Sequence, residues 1–258
     1  MIRGIYTAAA GMLNEMARQE VVANNLANVN TTAFKKDLAV FRARDDKPIT
    51  RIESEGAPRA SGAEATEIGR LSTGAFLDRV FTEYSQGPLR RTDEPFDLAI
   101  TGPGFLVLRD GNGQELLSRG GKLTRSEDGR LVDLSGNEIQ GDGGPIVLPG
   151  QGAFKVDQQG VVHVGREIVG KLRVVEARNP ADTLEKQGAS TWKIRDPGAI
   201  APATATQVEQ GSLEASNVNP VREMVDLIAI QRAYEASQRV ITAQDETLGK
   251  AVNELGRG

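Results

Sequence analysis

The sequence holds no cysteine, a single histidine, only 4% aromatic residues and no excess of positive charge. Without cysteine there can be no disulfide, thiolate metal ligand or cysteine nucleophile. The lone His163 cannot complete a common zinc site, and its neighbours Val162 and Val164 place it in mid-strand. Any Ser-His-Asp triad would depend on it, yet no Gly-x-Ser-x-Gly elbow accompanies it. A net charge of −4 with a pI near 5.3 offers no electrostatic footprint for nucleic acid, so none is expected as a partner. No run approaches the roughly 20 apolar residues that span a bilayer, so membrane insertion is not expected. The stretch after Arg3 is faintly signal-like, but Tyr6, Thr7 and Gly11 dilute it and Asn14-Glu15 ends it. A helix face rich in small residues is the better reading.

What the chain does have lies at its ends. At the front, Ile2, Ile5, Ala9, Met12, Met16, Ala23 and Leu26 follow alternating three- and four-residue steps, interrupted by Gln19. At the back, Leu227, Tyr234, Ile241, Leu248 and Leu255 recur every seven residues, with Gln231, Gln238 and Asp245 read as the intervening polar seam positions. A seven-residue repeat keeps one narrow stripe facing a partner helix. The front helix is expected from about residue 3 to 26 or 28, ending in the amides Asn24, Asn25, Asn28 and Asn30, which tolerate left-handed backbone. The back helix has a clear start: Asn219 as N-cap, Pro220 in first position, and Glu223 at the positive end of the dipole. A helix running from there towards Leu255 is about 50 Å long, far beyond the usual globular helix. Its seam is too narrow for burial in a monomer, so assembly is weighed above an internal helical pair.

Between the ends the texture is β. Phe96, Leu98 and Ile100 alternate with Asp97, Ala99 and Thr101, and short apolar runs follow, punctuated by turns such as Asp110-Gly111-Asn112-Gly113 and Ser135-Gly136-Asn137. Turn chemistry at such spacing predicts an all-β body of hairpins or a barrel-like sheet. Residues 34–41 could be a short strand or a helix continuation. Residues 44–75, poor in large apolar groups, read as a linker. The expected fold is therefore α+β: residues 1–43 and 211–258 as a discontinuous, coiled-coil-like helical assembly domain, 44–75 as linker, and 76–210 as the inserted body.

Chemical motifs are weak. Gly102-Pro103-Gly104 lacks the Lys-Ser or Lys-Thr and third glycine of a phosphate loop and reads as a strand break. Asp110 to Glu115 has oxygen ligands without the spacing of a calcium loop. Carboxylates sit mostly in turns and on helix faces, where solvated charge is the ordinary reading and a glycosidase pair the alternative. No catalytic, cofactor-binding or metal residue is assigned. The expected working residues are those of an assembly interface: Ile5, Met12, Met16 and Leu26 of the front seam, Met224, Leu227, Tyr234, Ile241 and Leu248 of the back, with Asn24, Asn25, Asn28, Asn30, Phe34, Asn217 and Asn219 at the joints.

These residues resemble the bacterial flagellar rod and hook family. The front signature is Ile5-Tyr6-Thr7-Ala8-Ala9-Ala10-Gly11-Met12 with Asn24-Asn25-Leu26-Ala27-Asn28-Val29-Asn30-Thr31-Thr32. The back signature starts at Gly211-Ser212-Leu213-Glu214 and runs through Ser216-Asn217-Val218-Asn219 to Ile230-Gln231-Arg232-Ala233-Tyr234-Glu235. Ser85-Gln86-Gly87-Pro88-Leu89 and Gly102-Pro103-Gly104-Phe105 look like the opening of the family's β body. Three positions depart: Ala33 stands where the family usually has Gly, Leu106 replaces an aromatic, and Ser118-Arg119-Gly120-Gly121 varies a Thr-Arg-x-Gly turn. The resemblance implies a rod subunit, of proximal type by Ile5-Tyr6-Thr7-Ala8 and Val40-Phe41-Arg42-Ala43, with the distal rod or hook role as the alternative. It implies export through the flagellar secretion apparatus without a cleavable signal, folding in the periplasm, and assembly with copies of itself and neighbouring rod and hook proteins. The implied work is torque transmission, with no cofactor and no turnover. The competing class is a secreted oligomeric β-domain enzyme.

Overall fold

The computed structural model describes residues 2–50, 67–72, 74–150 and 152–255. The chain divides into two compact units, each discontinuous in sequence. Unit 1 comprises Met1–Ala23, Leu38–Phe81 and Met224–Gly258, and unit 2 comprises Asn24–Asp37 and Thr82–Glu223.

Unit 1 is built on most of the two long helices. The front helix spans Ile2–Ala27 and the back helix Pro220–Leu255, the latter 36 residues long. Within unit 1 the helices meet through small residues. Gly4 lies against the Gln244 side chain and Gly11 against Ser237, so a Cβ at either position would touch the back helix. Half-buried positions of the back helix include Leu227, Tyr234, Ser237, Ile241, Gln244, Leu248 and Ala251, with Ile230 buried among them. These fall on three- and four-residue steps. Gln231, Gln238 and Asp245, read from sequence as the intervening seam residues, are exposed instead. The true intermediates sit one residue earlier, because a helix turn of 3.6 residues returns to the stripe at the third residue after each heptad position. Two ribbons complete the unit: strand Asp37–Ala43 pairs with Ala75–Thr82, and Lys47–Thr50 pairs antiparallel with Glu67–Leu71. The segment read as linker thus carries strand pairing at both its ends; residues 51–66 of it lie outside the described residues.

Unit 2 is a branched, open antiparallel sheet. Its main path runs Leu184–Lys186, Thr191–Ile194, Glu115–Ser118, Gly104–Arg109, Glu138–Gly141, Leu131–Asp133, Leu123–Arg125, and Val174–Ala177 also joins Gly104–Arg109. The strand Gly104–Arg109 shows why this sheet is central. Leu106 and Leu108 enter one core with Leu98, Ile100, Leu131 and Ile139, whereas Phe105 and Val107 enter a second with Leu117, Val175 and Trp192. Successive side chains of a strand point to opposite faces, so a strand apolar at every position needs cover on both sides. The alternation expected around residues 96–101 gives way to the same effect, since Leu98, Ala99 and Ile100 are all buried. The sheet path ends at Leu184–Lys186 on one side and Leu123–Arg125 on the other. The body is therefore not a closed barrel, which corrects the barrel-like expectation. Closure would require those two end strands to pair, and each is paired on one side only along that path. Residues 34–41 resolve as strand from Asp37 onward.

Candidate functional site

The chain passes out of unit 2 at four places, beside Asn24, Asp37, Thr82 and Glu223. Residues of unit 2 at these four exits are joined in one polar cluster. Asn25, 1% exposed, donates from Nδ2 to the Asp37 carbonyl at 2.8 Å, and the Asp37 N–H donates back to Asn25 Oδ1 at 2.9 Å. The same Asn25 amide reaches Glu223 Oε2 at 3.2 Å. Glu223, also buried, forms an ion pair with Lys36 at 2.5 Å. Thr82 Oγ1 donates to Asp37 Oδ1 at 2.7 Å, and Lys186 Nζ to Asp37 Oδ2 at 2.7 Å. Asn25 is in the last turns of the front helix and Glu223 in the first turn of the back helix, so the cluster ties one helix end to the other helix start.

Local chemistry explains the residue types. Helix ends leave backbone groups unpaired, and an amide can supply donor and acceptor together. Asn219 caps the back helix, its Oδ1 accepting from Val221 N at 3.1 Å and Arg222 N at 3.2 Å. Asn28 closes the front helix locally, its Nδ2 donating to the Asn24 carbonyl. Asn217 works over a longer range: its Oδ1 accepts from Lys36 N at 2.7 Å, while its Nδ2 donates to the Glu83 carbonyl at 2.9 Å. Glu223 stands in the first turn of the back helix, as read from sequence, and is also the buried counterion of Lys36.

Beside this cluster lies a second, drier one that the sequence did not single out. Lys35 Nζ is 2.5 Å from Glu214 Oε1, with both side chains fully buried, and Arg119 Nη1 reaches the other Glu214 oxygen at 3.4 Å. Lys35 also donates to the Ser85 carbonyl, Arg119 to the carbonyls of Gly102 and Gly104, and Gly87 N to Glu214 Oε1. Burial pushes the Lys35 ammonium and the Arg119 guanidinium below their ordinary pKa values, with Glu214 opposing the shift in both. The signal available in sequence was the clustering of Arg119 in a turn motif and Glu214 in the back signature, but only the fold shows that they meet. Gly87 is required here, since a Cβ on it would lie 2.0 Å from the Ala215 carbonyl oxygen. Ala33 adopts φ +57°, the left-handed region, while its N–H donates to the Glu214 carbonyl at 2.8 Å.

The residues expected to form an interface fall into three sets by burial, with Asn28 and Asn217 among the half-buried. Asn25 and Phe34 are buried inside unit 2, where the Phe34 ring stacks under Lys186 Nζ at 4.0 Å. Ile5, Met12, Leu26, Leu227, Tyr234, Ile241 and Leu248 are half-buried, and Met16, Met224, Asn24, Asn30 and Asn219 are exposed. Nothing in these clusters gathers a nucleophile, base and oxyanion donor. Their chemistry is that of a fastening.

Helix ends fastened to strands by buried polar pairs, within a two-faced β body, are the chemistry of a structural protein. The comparisons give the family. Residues 5–35 match the flagella basal body rod protein family, residues 99–164 the flagellar hook protein FlgE/F/G D1 domain, and residues 209–254 the flagellar basal body rod FlgEFG protein C-terminal family. The chain is 32% identical to the flagellar basal-body rod protein FlgF of Caulobacter vibrioides, covering 100% of this chain and 99% of that protein. It is 32% identical to the FlgG rod protein of Agrobacterium fabrum over 95% of this chain and 96% of that one. The hook-basal body complex protein FlhO of Bacillus subtilis is 28% identical over the full length of both. The chain belongs to the flagellar basal-body rod family and is a structural rod subunit, not an enzyme.

Proposed function

We propose that this chain takes its place in the rod through its terminal helices, which pack against helices of other copies and of neighbouring rod and hook proteins in a coiled-coil-like manner. The observation that carries this is the exposure of large apolar side chains along them: Tyr6 and Leu13 in front, Val225 and Ile228 behind, are all more than half exposed. Large apolar side chains left exposed along both helices point to an interaction face. The half-buried seam of Ile5, Met12, Leu227, Tyr234, Ile241 and Leu248 sets helix register, while Asn28, Asn217 and Asn219 hold the helix ends where they meet the body. On the resemblance of its opening stretch, the chain occupies the proximal rod in the periplasm, having passed through the flagellar export apparatus. Its work is to carry torque along a tube of subunits.

The test separates fold from assembly. Ile241→Asp places a charge on the seam that has no counterion when partner helices close over it, a cost of several kcal/mol. The variant should stay soluble with an unchanged β-sheet circular dichroism spectrum, yet fail to enter rods and leave cells non-motile. Normal rods built from the variant would remove the seam from the interface.

A further inference from the structure

The Lys35–Glu214–Arg119 cluster is unbalanced. Two cations are buried against one carboxylate, and Glu83 adds only a weaker attraction on Lys35. Lys35 and Glu214 are 179 residues apart in the chain, and Arg119 and Glu214 are 95 apart. Lys35 belongs to the stretch just after the front helix, Arg119 to a turn in mid-body, and Glu214 to a strand, Ser212–Glu214, that comes after the rest of the body. That strand pairs with Leu89–Arg91, Ala215 N donates to the Pro88 carbonyl, and Asn217 N to the Phe34 carbonyl. The late segment therefore closes over both earlier ones. Before it docks, closing the body would bring two cations together in a dry space with only carbonyl oxygens to receive them. Burying unpaired charge is the most costly step a core can be asked to make.

We propose that Glu214 gates the folding of unit 2: the core around Lys35 and Arg119 cannot dehydrate until the carboxylate near the end of the chain has arrived. In the reading of this chain as an exported rod subunit, on which this use of the gate rests, the body stays open while its leading part is threaded and closes once residue 214 is free. The excess charge makes the delay electrostatic, in addition to the missing strand.

Refolding of the full chain tests it, with Trp192 fluorescence as the reporter. Trp192 is the only tryptophan and is fully buried beside Tyr84 and Phe105. If Glu214 acts in the rate-limiting step, Glu214→Gln, which keeps the shape and removes the charge, should slow refolding by about 100-fold or more and change unfolding far less. Lys35→Met removes the surplus cation and should refold within a few-fold of wild type. The double variant Lys35→Met with Glu214→Gln should recover much of the lost rate. Should Glu214→Gln not fold at all, the double variant must regain a cooperative transition. The gate is overturned if Glu214→Gln refolds at the wild-type rate and only unfolds faster, if Lys35→Met is as slow as Glu214→Gln, or if the double variant shows no recovery. These outcomes are read on monomer and leave the rod assignment standing; a monomer that gates as described in a strain whose rods lack this protein would overturn the assignment and spare the gate.

Discussion

The two units of this chain spend their apolar residues in opposite ways. Unit 2 buries most of its large apolar side chains, chiefly in two cores on either face of one sheet, although Leu134, Ile168 and Val221 stand exposed. In unit 1, among the described residues, Ile230 is the one buried hydrophobic, while Leu13, Val40, Ile68, Val80 and Val252 stand exposed. Helices gain most of their stability from tertiary packing, so a unit with so little interior is stable chiefly when something else covers it. The chain thus combines a part with a full apolar interior and a part with little. The boundary between them is sharp in chemical terms, because the polar cluster at Asn25, Asp37, Thr82 and Glu223 belongs wholly to unit 2.

The largest expected contrast is in amide exchange of dilute monomer. Protection in unit 2 should exceed that in the helices of unit 1 by about a thousandfold or more, the ratio expected when a body of several kcal/mol stability adjoins segments near zero. Protection should extend into residues 24–27 and 220–223, the helix turns held by the cluster, and fall off beyond them. Uniform protection along both helices in a verified monomer would erase the distinction between the units.

Next in size is Glu223→Ala. It leaves Lys36 without its carboxylate and takes one of the two acceptors of the Asn25 amide, and should destabilise unit 2 by about 3 kcal/mol. Urea denaturation followed by Trp192 fluorescence would measure it. An unchanged midpoint would mean that the cluster fastens nothing in unit 2.

A smaller effect concerns alkaline pH. Burial, and secondarily the charge of Asp37, pushes the Tyr84 phenol from 10.0 up to about 12. The folded state therefore holds the Tyr84 proton more tightly than the unfolded chain does. Its contribution is intact below pH 10 and is lost as pH rises through about 12, on the order of 2 kcal/mol across the window. Comparing wild type with Tyr84→Phe isolates this from the titration of lysines. Parallel stability curves for the two proteins would show that Tyr84 does not couple to folding.

The smallest effect is on backbone strain. Ala33 pays for a left-handed conformation that glycine adopts freely, so Ala33→Gly should gain about 1 kcal/mol, partly offset by the lost methyl burial. A calorimetric melting temperature that falls would show that the buried methyl outweighs the strain. Neither result should alter the exchange of unit 1, which keeps the comparison between the units clean.

Much of the helical architecture was legible. Asn219, Pro220 and the unbroken run after them fix the start of the back helix, because capping and helix propensity are local effects that act within one turn. The heptad Leu227, Tyr234, Ile241 and Leu248 was legible for the same reason, whereas the intermediate seam positions are Ile230, Ser237 and Gln244 rather than Gln231, Gln238 and Asp245. In the body, the turn Asp110-Gly111-Asn112-Gly113 does separate two strands, Gly104–Arg109 and Glu115–Ser118, while Glu138–Gly141 and Gln207–Gln210 carried too few apolar residues to announce themselves.

By itself the sequence determined the two helices, their caps, the β character between them and, through its signatures, the family. Each of these depends on neighbours within a few residues or on a pattern repeated along the chain. Only the tertiary structure decided that Gly104–Arg109 is covered on both faces, that Glu223 pairs with Lys36, and that Lys35, Arg119 and Glu214 share one dry space. Those facts join residues up to 187 positions apart, from Lys36 to Glu223, and no local propensity carries that information. A charged side chain looks solvated in sequence until the fold closes over it and its partner becomes the only thing that makes burial tolerable.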